Sequence, residues 1–329
     1  MINSQKKIWP KVTAIIVNWN GEHVIADCLA ALTAQTVTPD EIIVVDNASS
    51  DASLLIVRRF PSALLLAQNE NLGFARGNNL ALKAAASESE WIALLNPDAF
   101  PEPDWLERLL TKAKANPDFA AIGSRQMVYG TEGKVDGVGD VYHCSGLIWR
   151  NGYGRTQSMH NSLPSEIFSP CACAALYRRE AIQSVGGFDE DYFCYVEDVD
   201  LGFRLRLAGH KAMYAPDAVV YHVGSATTGG QHSDFSLYHG HRNLVWTFIK
   251  NMPGILFWLF LPFHILLNII SVIYFSLLGK GKIILRAKRD AIQGVPKMWK
   301  KRKSIQHNRK ASVNEIWRVL DKRLFPFRR

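Results

Sequence analysis

Polar side chains follow three apolar segments of the chain, each at the point where the segment ends. The segments are rich in aliphatic residues without polar alternation, which is typical of parallel strands buried on both faces. In open α/β sheets, ligands bind just beyond the carboxyl ends of the strands. We therefore expect a functional site at these ends. The segments and the polar residues that follow them are Val12–Val17 with Asn18, Ile42–Val45 with Asp46 and Asn47, and Trp91–Leu95 with Asn96 and Asp98.

Segments with apolar residues at helical spacing separate these strands. They cover residues 22–33, 51–59 and 74–86, and a further short strand is predicted at residues 62–67. Strands that alternate with helices in this way predict βαβ units, and so an α/β fold with a Rossmann-like, mostly parallel sheet and flanking helices. Right-handed crossovers would bring Asn18, Asp46 and Asp98 to the same edge of that sheet.

The glycine pattern argues against a dinucleotide-binding domain. The turn after the first strand reads Asn18-Trp19-Asn20-Gly21 and lacks the G-x-G-x-x-G spacing that lets a pyrophosphate approach the backbone. The P-loop pattern G-x-x-x-x-G-K-[ST] is also missing from the sequence. An acidic sheet edge without a glycine-rich phosphate loop suggests that phosphate is bound through a divalent cation with carboxylate ligands.

A second acidic cluster lies between Asp189 and Asp200, after the pair Gly186-Gly187. A helix is predicted from Glu197, with acids in its first turn, where they suit the helix dipole, and arginines further on. Helix capping explains one or two of these acids but not the density of the cluster. Further along, His222 follows a short predicted strand, residues 218–221, and is a candidate ligand for a metal or a phosphate.

Six motifs, in this order, resemble family 2 glycosyltransferases of the GT-A fold, in the branch that contains bacterial rhamnosyltransferases. The resemblance covers residues 10–245. Asn96 stands where many relatives carry the first Asp of a D-x-D motif, which leaves one carboxylate fewer for a metal. The motifs are Val17–Asn20, Val45–Asp51, Asn71–Asn79, Leu95–Asp98, Gly186–Glu190 and Glu197–Leu201.

The resemblance implies a role for each matching residue. Asp98 would hold Mg²⁺ or Mn²⁺ against the diphosphate of the donor, with His222 as a second candidate ligand. Asp198 would be the catalytic base, and its acidic neighbours Glu197 and Asp200 would help it to hold the proton. The implied donor-binding residues are Val17, Asn18, Asp46, Asn47 and Asp51 around the nucleoside, and Asn71, Gly73, Phe74, Asn78 and Asn96 around the diphosphate and sugar.

These roles form a coherent mechanism. A divalent cation neutralises a departing diphosphate as a Lewis acid. A carboxylate within hydrogen-bond reach can take the proton of the acceptor hydroxyl as it attacks the anomeric carbon. One base, without a second carboxylate acting as nucleophile, predicts a single displacement and so inversion at that carbon.

The resemblance implies transfer of L-rhamnose from dTDP-rhamnose. One alternative is a related enzyme that uses a UDP- or GDP-sugar, such as galactofuranose, N-acetylglucosamine or mannose. A rival from another class is a metal-dependent nucleotidyltransferase, which also places metal and acids at an α/β sheet edge. A non-catalytic module that only binds the donor is a further alternative.

Composition bounds the domain organisation. The chain has 329 residues, of which 48% are hydrophobic, enough for one large catalytic domain, residues 1–245, and a C-terminal region, residues 246–329. Its five cysteines form no C-x-x-C pair and are expected to be reduced, buried thiols. Residues 1–11 are polar and lysine-containing, unlike a signal peptide, so the catalytic domain is expected in the cytoplasm, where nucleotide sugars are.

The C-terminal region combines an apolar segment with a basic tail. Residues 254–278 are long and apolar enough to cross a bilayer. Residues 280–329 carry 17 Lys or Arg against 3 Asp or Glu, a net charge of +14, which leaves −6 for the rest of the chain. A spanning helix would place this basic tail on the outer side, against the positive-inside tendency. A buried core helix is a second alternative.

We favour an apolar segment that lies in the membrane interface as a helix, or as a hairpin that hinges near Pro262. His264, Asn268 and Ser271 would form a narrow polar stripe on such a helix. The basic tail would then contact anionic headgroups, whereas nucleic acid is not expected because no nucleic-acid module accompanies it. These features predict a peripheral or monotopic enzyme at the cytoplasmic face of the bacterial inner membrane, acting on a lipid-linked saccharide. Nothing in the pattern indicates an oligomeric state.

Overall fold

A ten-stranded mixed sheet with helices on both faces forms the body of the protein, which confirms the predicted α/β class. The computed structural model describes residues 9–156, 163–224 and 233–323. The strands are β1 (Val12–Asn18), β2 (Glu41–Asp46), β3 (Ala63–Ala67), β4 (Trp91–Leu95), β5 (Ala99–Pro101), β6 (Phe119–Val128), β7 (Val135–Gly137), β8 (Asp140–Tyr142), β9 (Ile148–Arg150), β10 (Ser165–Ile167), β11 (Ala174–Arg178) and β12 (Lys211–His222). The helices are α1 (Ile25–Thr33), α2 (Ser53–Val57), α3 (Gly73–Ala84), α4 (Trp105–Ala115), α5 (Arg179–Ser184), α6 (Glu197–Leu207), α7 (Asp234–Asn251), α8 (Gly254–Leu277), α9 (Gly281–Gln293), α10 (Val295–His307) and α11 (Val313–Val319).

The strand order β10-β12-β6-β11-β4-β1-β2-β3 places the ends of β1, β2 and β4 side by side. These strands pair in parallel, with Asn18 in register with Asp46. β11 runs antiparallel between β4 and β6, whereas β6 and β12 are parallel to each other. β5 pairs with the end of β12, so that Ala99, the residue after Asp98, lies opposite His222. All the predicted polar strand ends therefore lie on the same edge of the sheet.

The first predicted helices begin later than the apolar periodicity suggests. α1 starts at Ile25 and not at Glu22, because Val24 and Ile25 both donate their backbone N–H to the carbonyl oxygen of Gly21 and form a turn first. Asp51 was predicted to cap α2; the N-cap is Ala52, and Asp51, one residue earlier, accepts the N–H of Ser53 at 3.0 Å. β12 is much longer than its predicted strand of four residues, since pairing with β6 extends it back to Lys211.

Two hydrophobic layers pack on the two faces of the sheet. Ile16 points towards α1 and α4, where Leu29 and Trp105 are buried, and its neighbour Ile15 points towards α3 and α6 on the other face. Such alternation follows from the period of two along a strand. Each fully buried aliphatic side chain contributes roughly 1.5–3 kcal/mol, so the two layers hold the strand ends in place firmly.

A third hydrophobic cluster joins the C-terminal helices to the catalytic part of the chain. It combines Tyr142 and Phe203 with Phe248 of α7, Ala291 of α9 and Ile316 of α11. The predicted domain boundary between residues 245 and 246 falls inside α7, so the helices after it extend the body of the protein.

The last described residues pair with the segment around Tyr142 of the catalytic domain. Asp321 accepts the N–H of Cys144 and donates its own to the carbonyl oxygen of Tyr142. Residues 1–8 lie outside the described residues, as do residues 324–329 of the basic tail. The prediction that the chain has no signal peptide rests partly on residues 1–8.

Part of the basic tail forms ion pairs with the catalytic domain. Lys297 lies 2.6 Å from Asp191, and Lys301 forms ion pairs with both Asp189 and Asp191. Arg302 donates to the carbonyl oxygen of Met252 at 2.5 Å. The tail was predicted to contact anionic headgroups; the charges of Lys297 and Lys301 are paired with Asp189 and Asp191, and the remaining basic residues are left to attract anionic lipids.

α8 is a continuous helix that passes through Pro262, so the hairpin alternative is wrong for this structure. Its length of 24 residues and mean hydropathy of 2.2 would allow it to cross a membrane. Only 17% of its most apolar part is buried in the protein, which argues against a core helix. The polar stripe faces the protein: His264 Nδ1 lies 2.8 Å from the carbonyl oxygen of Ser145, and Asn268 accepts Lys288 Nζ at 2.5 Å. The opposite face exposes large apolar side chains, including Ile269 and Ile273.

Candidate active site

The ends of β1 and β2 form one polar unit. Asn18 donates its amide to Asp46 at 2.8 Å, and Asp46 also accepts the N–H and the hydroxyl of Ser49 at 2.9 and 2.7 Å. The Asp46 carboxylate is completely buried. It therefore shapes the turn that follows β2, and its predicted contact with the donor nucleoside stays a prediction.

The start of α3 packs tightly against this unit. Asn47 donates to the carbonyl oxygen of Gly73 at 3.2 Å, and the N–H of Gly73 donates to Asn71 at 2.9 Å. Gly73 has φ +75°, and a Cβ there would lie 2.6 Å from the carbonyl oxygen of Phe193. A side chain at Gly77 would lie 2.8 Å from Val17. Only glycine allows α3 to approach β1 and the segment around residue 193 so closely.

The other predicted donor residues on these elements have local partners. Asn78 is buried and donates to the carbonyl oxygen of Phe74 at 2.9 Å within α3. Asp51 accepts the N–H of Glu22 at 2.9 Å, and the backbone N–H of Asn96 donates to Cys173 at 2.8 Å. These bonds fix the loops that border the site, while donor contacts by these residues remain predictions.

Asp98 and His222, the two predicted metal ligands, lie together. Nε2 of His222 is 3.3 Å from Oδ1 of Asp98, and within the described ranges it forms no well-aligned hydrogen bond. Nδ1 of the same ring is 2.8 Å from Oδ2 of Asp136. Burial opposes the charged imidazole, but Cys173, Asp136 and Asp98 outweigh it and raise the pKa of His222 well above its ordinary value. Without a cation, a proton on this ring would satisfy the same carboxylates.

Four residues in the middle of the chain, Asp136, Asp140, Arg150 and Cys171, connect this pair to the predicted base. Arg150 binds Asp136 at 2.6 Å and donates to the sulfur of Cys171 at 3.1 Å. Ligand atoms of Cys171, Asp140 and Asp198 lie within 4.8 Å of one another. Sequence reasoning did not find Asp136, Asp140 or Arg150; the only signal was two acids set among glycines in the run Val135–Asp140. Cys171 was correctly expected to be a free, buried thiol.

Among the three acids at the start of α6, Glu197 and Asp200 are buried and Asp198 is the accessible one. It is half-buried at the start of α6, and its two oxygens accept the N–H of Ala172 at 3.2 Å and of Val199 at 2.8 Å. Burial, and next the charge of Asp198, raise the pKa of Asp140 and of Glu197 well above their ordinary values. Both neighbours are therefore biased towards the neutral acid.

Asp200 faces away into a buried ion cluster. Its oxygens bind Arg204 at 2.8 Å, Lys250 at 2.7 Å and the amide of Asn251 at 2.7 Å. Burial alone would raise the pKa of Asp200, but Lys250 and Arg204 reverse the effect and lower it. A fully buried carboxylate with these partners favours a structural role for Asp200 over the predicted catalytic one.

The family model described as glycosyl transferase family 2 matches residues 13–186. The chain belongs to this family. It is 31% identical over 221 residues to the N-acetylglucosaminyl-diphospho-decaprenol L-rhamnosyltransferase of Mycobacterium tuberculosis, which covers 61% of this chain and 72% of that protein.

Solved structures support the GT-A type fold of this glycosyltransferase. A mannosyltransferase from Pyrobaculum calidifontis in complex with GDP-Man and Mn²⁺ superposes with a TM-score of 0.56 at 19% identity, covering 95% of this chain and 91% of that one. GalNAc-T7 with UDP, GalNAc and Mn²⁺ gives a TM-score of 0.60 at 13% identity over 74% of this chain. The glycosyltransferase spans about half of the GalNAc-T7 chain, 48%. At these identities the likeness concerns the fold alone.

A strained segment of the glycosyltransferase leads directly into Glu197 and Asp198. Phe193, Tyr195 and Val196 all have positive φ, 64°, 65° and 68°. Such backbone costs on the order of 1–3 kcal/mol per residue and persists only where the surroundings enforce it.

Asn243 of α7 holds the backbone of this segment in its strained conformation. It is completely buried, and its Nδ2 lies 3.0, 2.9 and 2.7 Å from the carbonyl oxygens of Tyr192, Cys194 and Tyr195, which share its two N–H groups. Sequence reasoning missed this residue because an Asn inside a helix carries no local signal.

Proposed function

We propose that this glycosyltransferase moves L-rhamnose from dTDP-rhamnose to a lipid-linked saccharide, with inversion, at the cytoplasmic face of a bacterial membrane. The observation that carries the chemistry is the contact between His222 Nε2 and Asp98 Oδ1, which are 3.3 Å apart at the edge of the sheet. Contacts through Asp136, Arg150 and Cys171 connect this pair to Asp198. The similarity to an L-rhamnosyltransferase that is named for a diphospho-decaprenol acceptor supports the choice of sugar and acceptor class. UDP- and GDP-sugars remain the alternative donors.

The residues around His222 fit a divalent cation. A buried imidazole nitrogen without a well-aligned partner faces a carboxylate oxygen, and Asp136 holds the other ring nitrogen. A carboxylate and an imidazole suit Mn²⁺, and a carboxylate with phosphate oxygens suits Mg²⁺. Asp98 and His222 would hold the ion, whose chemistry when bound is to neutralise the diphosphate as it leaves.

Asp198 takes the proton of the acceptor hydroxyl. Each of its oxygens accepts one backbone N–H, which fixes the carboxylate and leaves further lone pairs for the acceptor. Burial and the charge of Asp198 raise the pKa of Glu197 and of Asp140, so both neighbours favour their neutral forms. The hydroxyl oxygen forms its bond to the anomeric carbon as the bond to the diphosphate breaks, and the proton goes to Asp198. One displacement inverts the anomeric configuration.

α8 provides the membrane contact in this proposal. Its outward face is apolar, and its polar stripe is held by Ser145 of the catalytic domain and by Lys288 of α9. A spanning α8 would have to give up these bonds, so a helix lying in the interface agrees better with them. The basic residues that are not paired inside the protein would add attraction to anionic lipids.

A donor screen tests this proposal. The full chain is incubated with dTDP-rhamnose, UDP-galactofuranose, UDP-N-acetylglucosamine or GDP-mannose and Mn²⁺, and the donor is identified by thermal stabilisation and then by turnover on a polyprenyl diphosphate saccharide. A ligand at a hundred times its Kd stabilises by about 2.7 kcal/mol. We expect dTDP-rhamnose to raise the Tm of the protein and turnover to release dTDP. NMR of the product should show that the anomeric configuration is inverted.

EDTA and Asp98→Ala should both abolish turnover, while Asp118→Ala, a change at an exposed surface carboxylate, should not. Stabilisation and turnover with only a UDP- or GDP-sugar would show that this sugar nucleotide, and not dTDP-rhamnose, is the donor. Release of pyrophosphate from a nucleoside triphosphate would indicate a nucleotidyltransferase. Full activity in EDTA would overturn the metal assignment.

A further inference from the structure

A pocket of about 460 Å³ lies between the first turns of α8 and the second half of α10. It is far along the chain from the motifs of the catalytic site. α8 contributes Trp258, α10 contributes Trp299, Arg302 and Lys303, and Arg309 follows just after α10. No carboxylate is among its lining residues.

The cations of this pocket have no counter-charge in the described parts of the chain. Arg302, Lys303 and Arg309 form no ion pair within residues 9–156, 163–224 and 233–323. Lys297 and Lys301, on the same helix, are paired with acids of the catalytic domain. The pocket therefore differs from the rest of the tail in lacking a negative group of its own.

Two of these cations are partly withdrawn from water. Arg302 is 8% exposed and only its Nη1 has protein acceptors, the carbonyl oxygens of Ile249 and Met252, in the described structure. Nη1 of Arg309 is buried and has no hydrogen-bond partner among the described residues. Burial, and next the positive charge of Arg309, lower the pKa of Arg302 to about 10. Holding two guanidinium groups together in this way is costly unless an anion joins them.

The mouth of the pocket is next to the apolar face of α8. Trp258 is 63% exposed, beside Ile255 and Leu259, which are 71% and 56% exposed. The Trp258 ring stands 6.4 Å from that of Trp299, which lies against the guanidinium of Arg302. Tryptophan is enriched where membrane headgroups meet acyl chains. The pocket thus places positive charge directly beside a surface suited to hydrocarbon.

We propose that this pocket binds the phosphate of an anionic phospholipid, with the acyl chains along the exposed face of α8. Guanidinium groups match the geometry of phosphate oxygens and can bind them in pairs. The proposal rests on the proposed function only in requiring α8 to face the membrane; donor, metal and saccharide take no part. The lipid holds the N-terminal end of α8 at one place in the interface, which diffuse attraction to a charged surface would not do.

Lipid titration without donor or metal tests the site. The full chain in a neutral detergent, with EDTA, is titrated with short-chain phosphatidylglycerol, short-chain phosphatidylcholine or inorganic phosphate, and heat release and Tm are followed. We expect saturable binding of phosphatidylglycerol, at least tenfold weaker binding of inorganic phosphate and none of phosphatidylcholine. Equal affinity for inorganic phosphate would show a free-phosphate site and overturn the lipid assignment, and so would the absence of saturable binding.

Matched variants separate the pocket from general charge. Lys303→Gln with Arg309→Gln should weaken phosphatidylglycerol binding about tenfold or more, since each charge-assisted hydrogen bond is worth roughly 1.5–3 kcal/mol and 1.4 kcal/mol is tenfold. Lys300→Gln, at an exposed position of α10 outside the lining, should change it less than twofold. Trp258→Ala keeps every charge and should weaken the binding of phosphatidylglycerol but not the binding of inorganic phosphate.

Equal weakening by the pocket variants and by Lys300→Gln would mean that only diffuse charge acts, and would overturn the proposal. A circular dichroism spectrum and Tm near those of the unmodified protein show that each variant is folded. A chain that binds the lipid but transfers no sugar would sink the proposed function and leave this site standing.

Discussion

Asp136 holds the imidazole of His222 through a contact of 2.8 Å between its Oδ2 and the Nδ1 of the ring. A carboxylate at this position requires the neutral ring to carry its proton on Nδ1, so that the lone pair of Nε2 is directed to Asp98. Ligand histidines of metal sites are commonly oriented in this way by a second carboxylate.

Loss of Asp136 should therefore weaken metal binding without removing a ligand. For Asp136→Ala we expect the concentration of Mn²⁺ that gives half-maximal turnover to rise by about 10–100-fold, with partial recovery at saturating Mn²⁺. Titration of turnover with Mn²⁺ measures this effect, and Asp118→Ala serves as a control at an exposed carboxylate. An unchanged Mn²⁺ dependence would show that the ring needs no such support.

Asp198 and Asp200 should respond differently to the same substitution. Asp198→Asn cannot accept the proton, so turnover should fall by roughly a hundredfold or more while donor binding and Tm stay the same. Asp200→Asn removes the carboxylate that pairs with Arg204 and that shares Lys250 with Asp189, and it should cost about 3–5 kcal/mol of stability. Turnover and Tm of both variants decide the point. If Asp198→Asn stays active and Glu197→Gln is dead, the base is Glu197.

Asn243 should matter for kcat more than for donor KM. Asn243→Asp is nearly isosteric but replaces the donating amide by a carboxylate that repels the three carbonyl oxygens, so the segment before Asp198 should relax. We expect kcat to fall about tenfold or more, with donor KM changed less than threefold, as for other positioning residues. Asn308→Asp, an exposed change of the same type, is the control. A loss of stability with unaltered kcat would make Asn243 merely structural.

The outward face of α8 should determine membrane binding. Ile269→Glu with Ile273→Glu places two charges on side chains that are 52% and 56% exposed and should strongly reduce flotation with liposomes. Leu55→Glu, at an apolar side chain of α2 that is 61% exposed, controls for the added charge. Flotation that both changes leave intact would place the membrane contact elsewhere.

Lys288 should make stability depend on pH. Burial lowers its pKa from 10.5 to about 7, so between pH 7 and 10.5 the unfolded chain binds the extra proton and the free energy of unfolding rises with pH. The slope is at most about 1.4 kcal/mol per pH unit, and below pH 7 the cost of burying the charge is fully present. Urea unfolding between pH 7 and 9 should show a flatter dependence for Lys288→Met than for Lys282→Met, an exposed control. Equal slopes would contradict the neutral lysine.

The sequence pattern predicts those parts of the site that follow directly from strands. Asn18, Asp46, Asp98 and His222 each stand at a strand end, and parallel pairing brings strand ends together whatever the loops between them do. Asp136 and Arg150 could not be found in this way, because they lie in strands of three residues. Their position depends on contacts such as that between Asp136 and His222, 86 residues apart.

The tail illustrates the same limit. Its composition predicts a charged surface, but the charge of one lysine is cancelled by acids more than a hundred residues earlier in the chain. Lys301 and Asp189 are 112 residues apart. No local pattern indicates such a pairing.

The contact of Asp321 with Tyr142 and Cys144 has a consequence for the timing of activity in the cell. The segment that carries Asp136 and Asp140 is held by a residue that the ribosome adds 177 residues after Cys144. At 5–20 residues per second, the chain from Cys144 to Asp321 takes on the order of ten to forty seconds to make. During that interval the nascent enzyme has its early strands but an unfinished catalytic edge. Sugar transfer would therefore begin only after residue 321 has left the ribosome and folded back onto this segment.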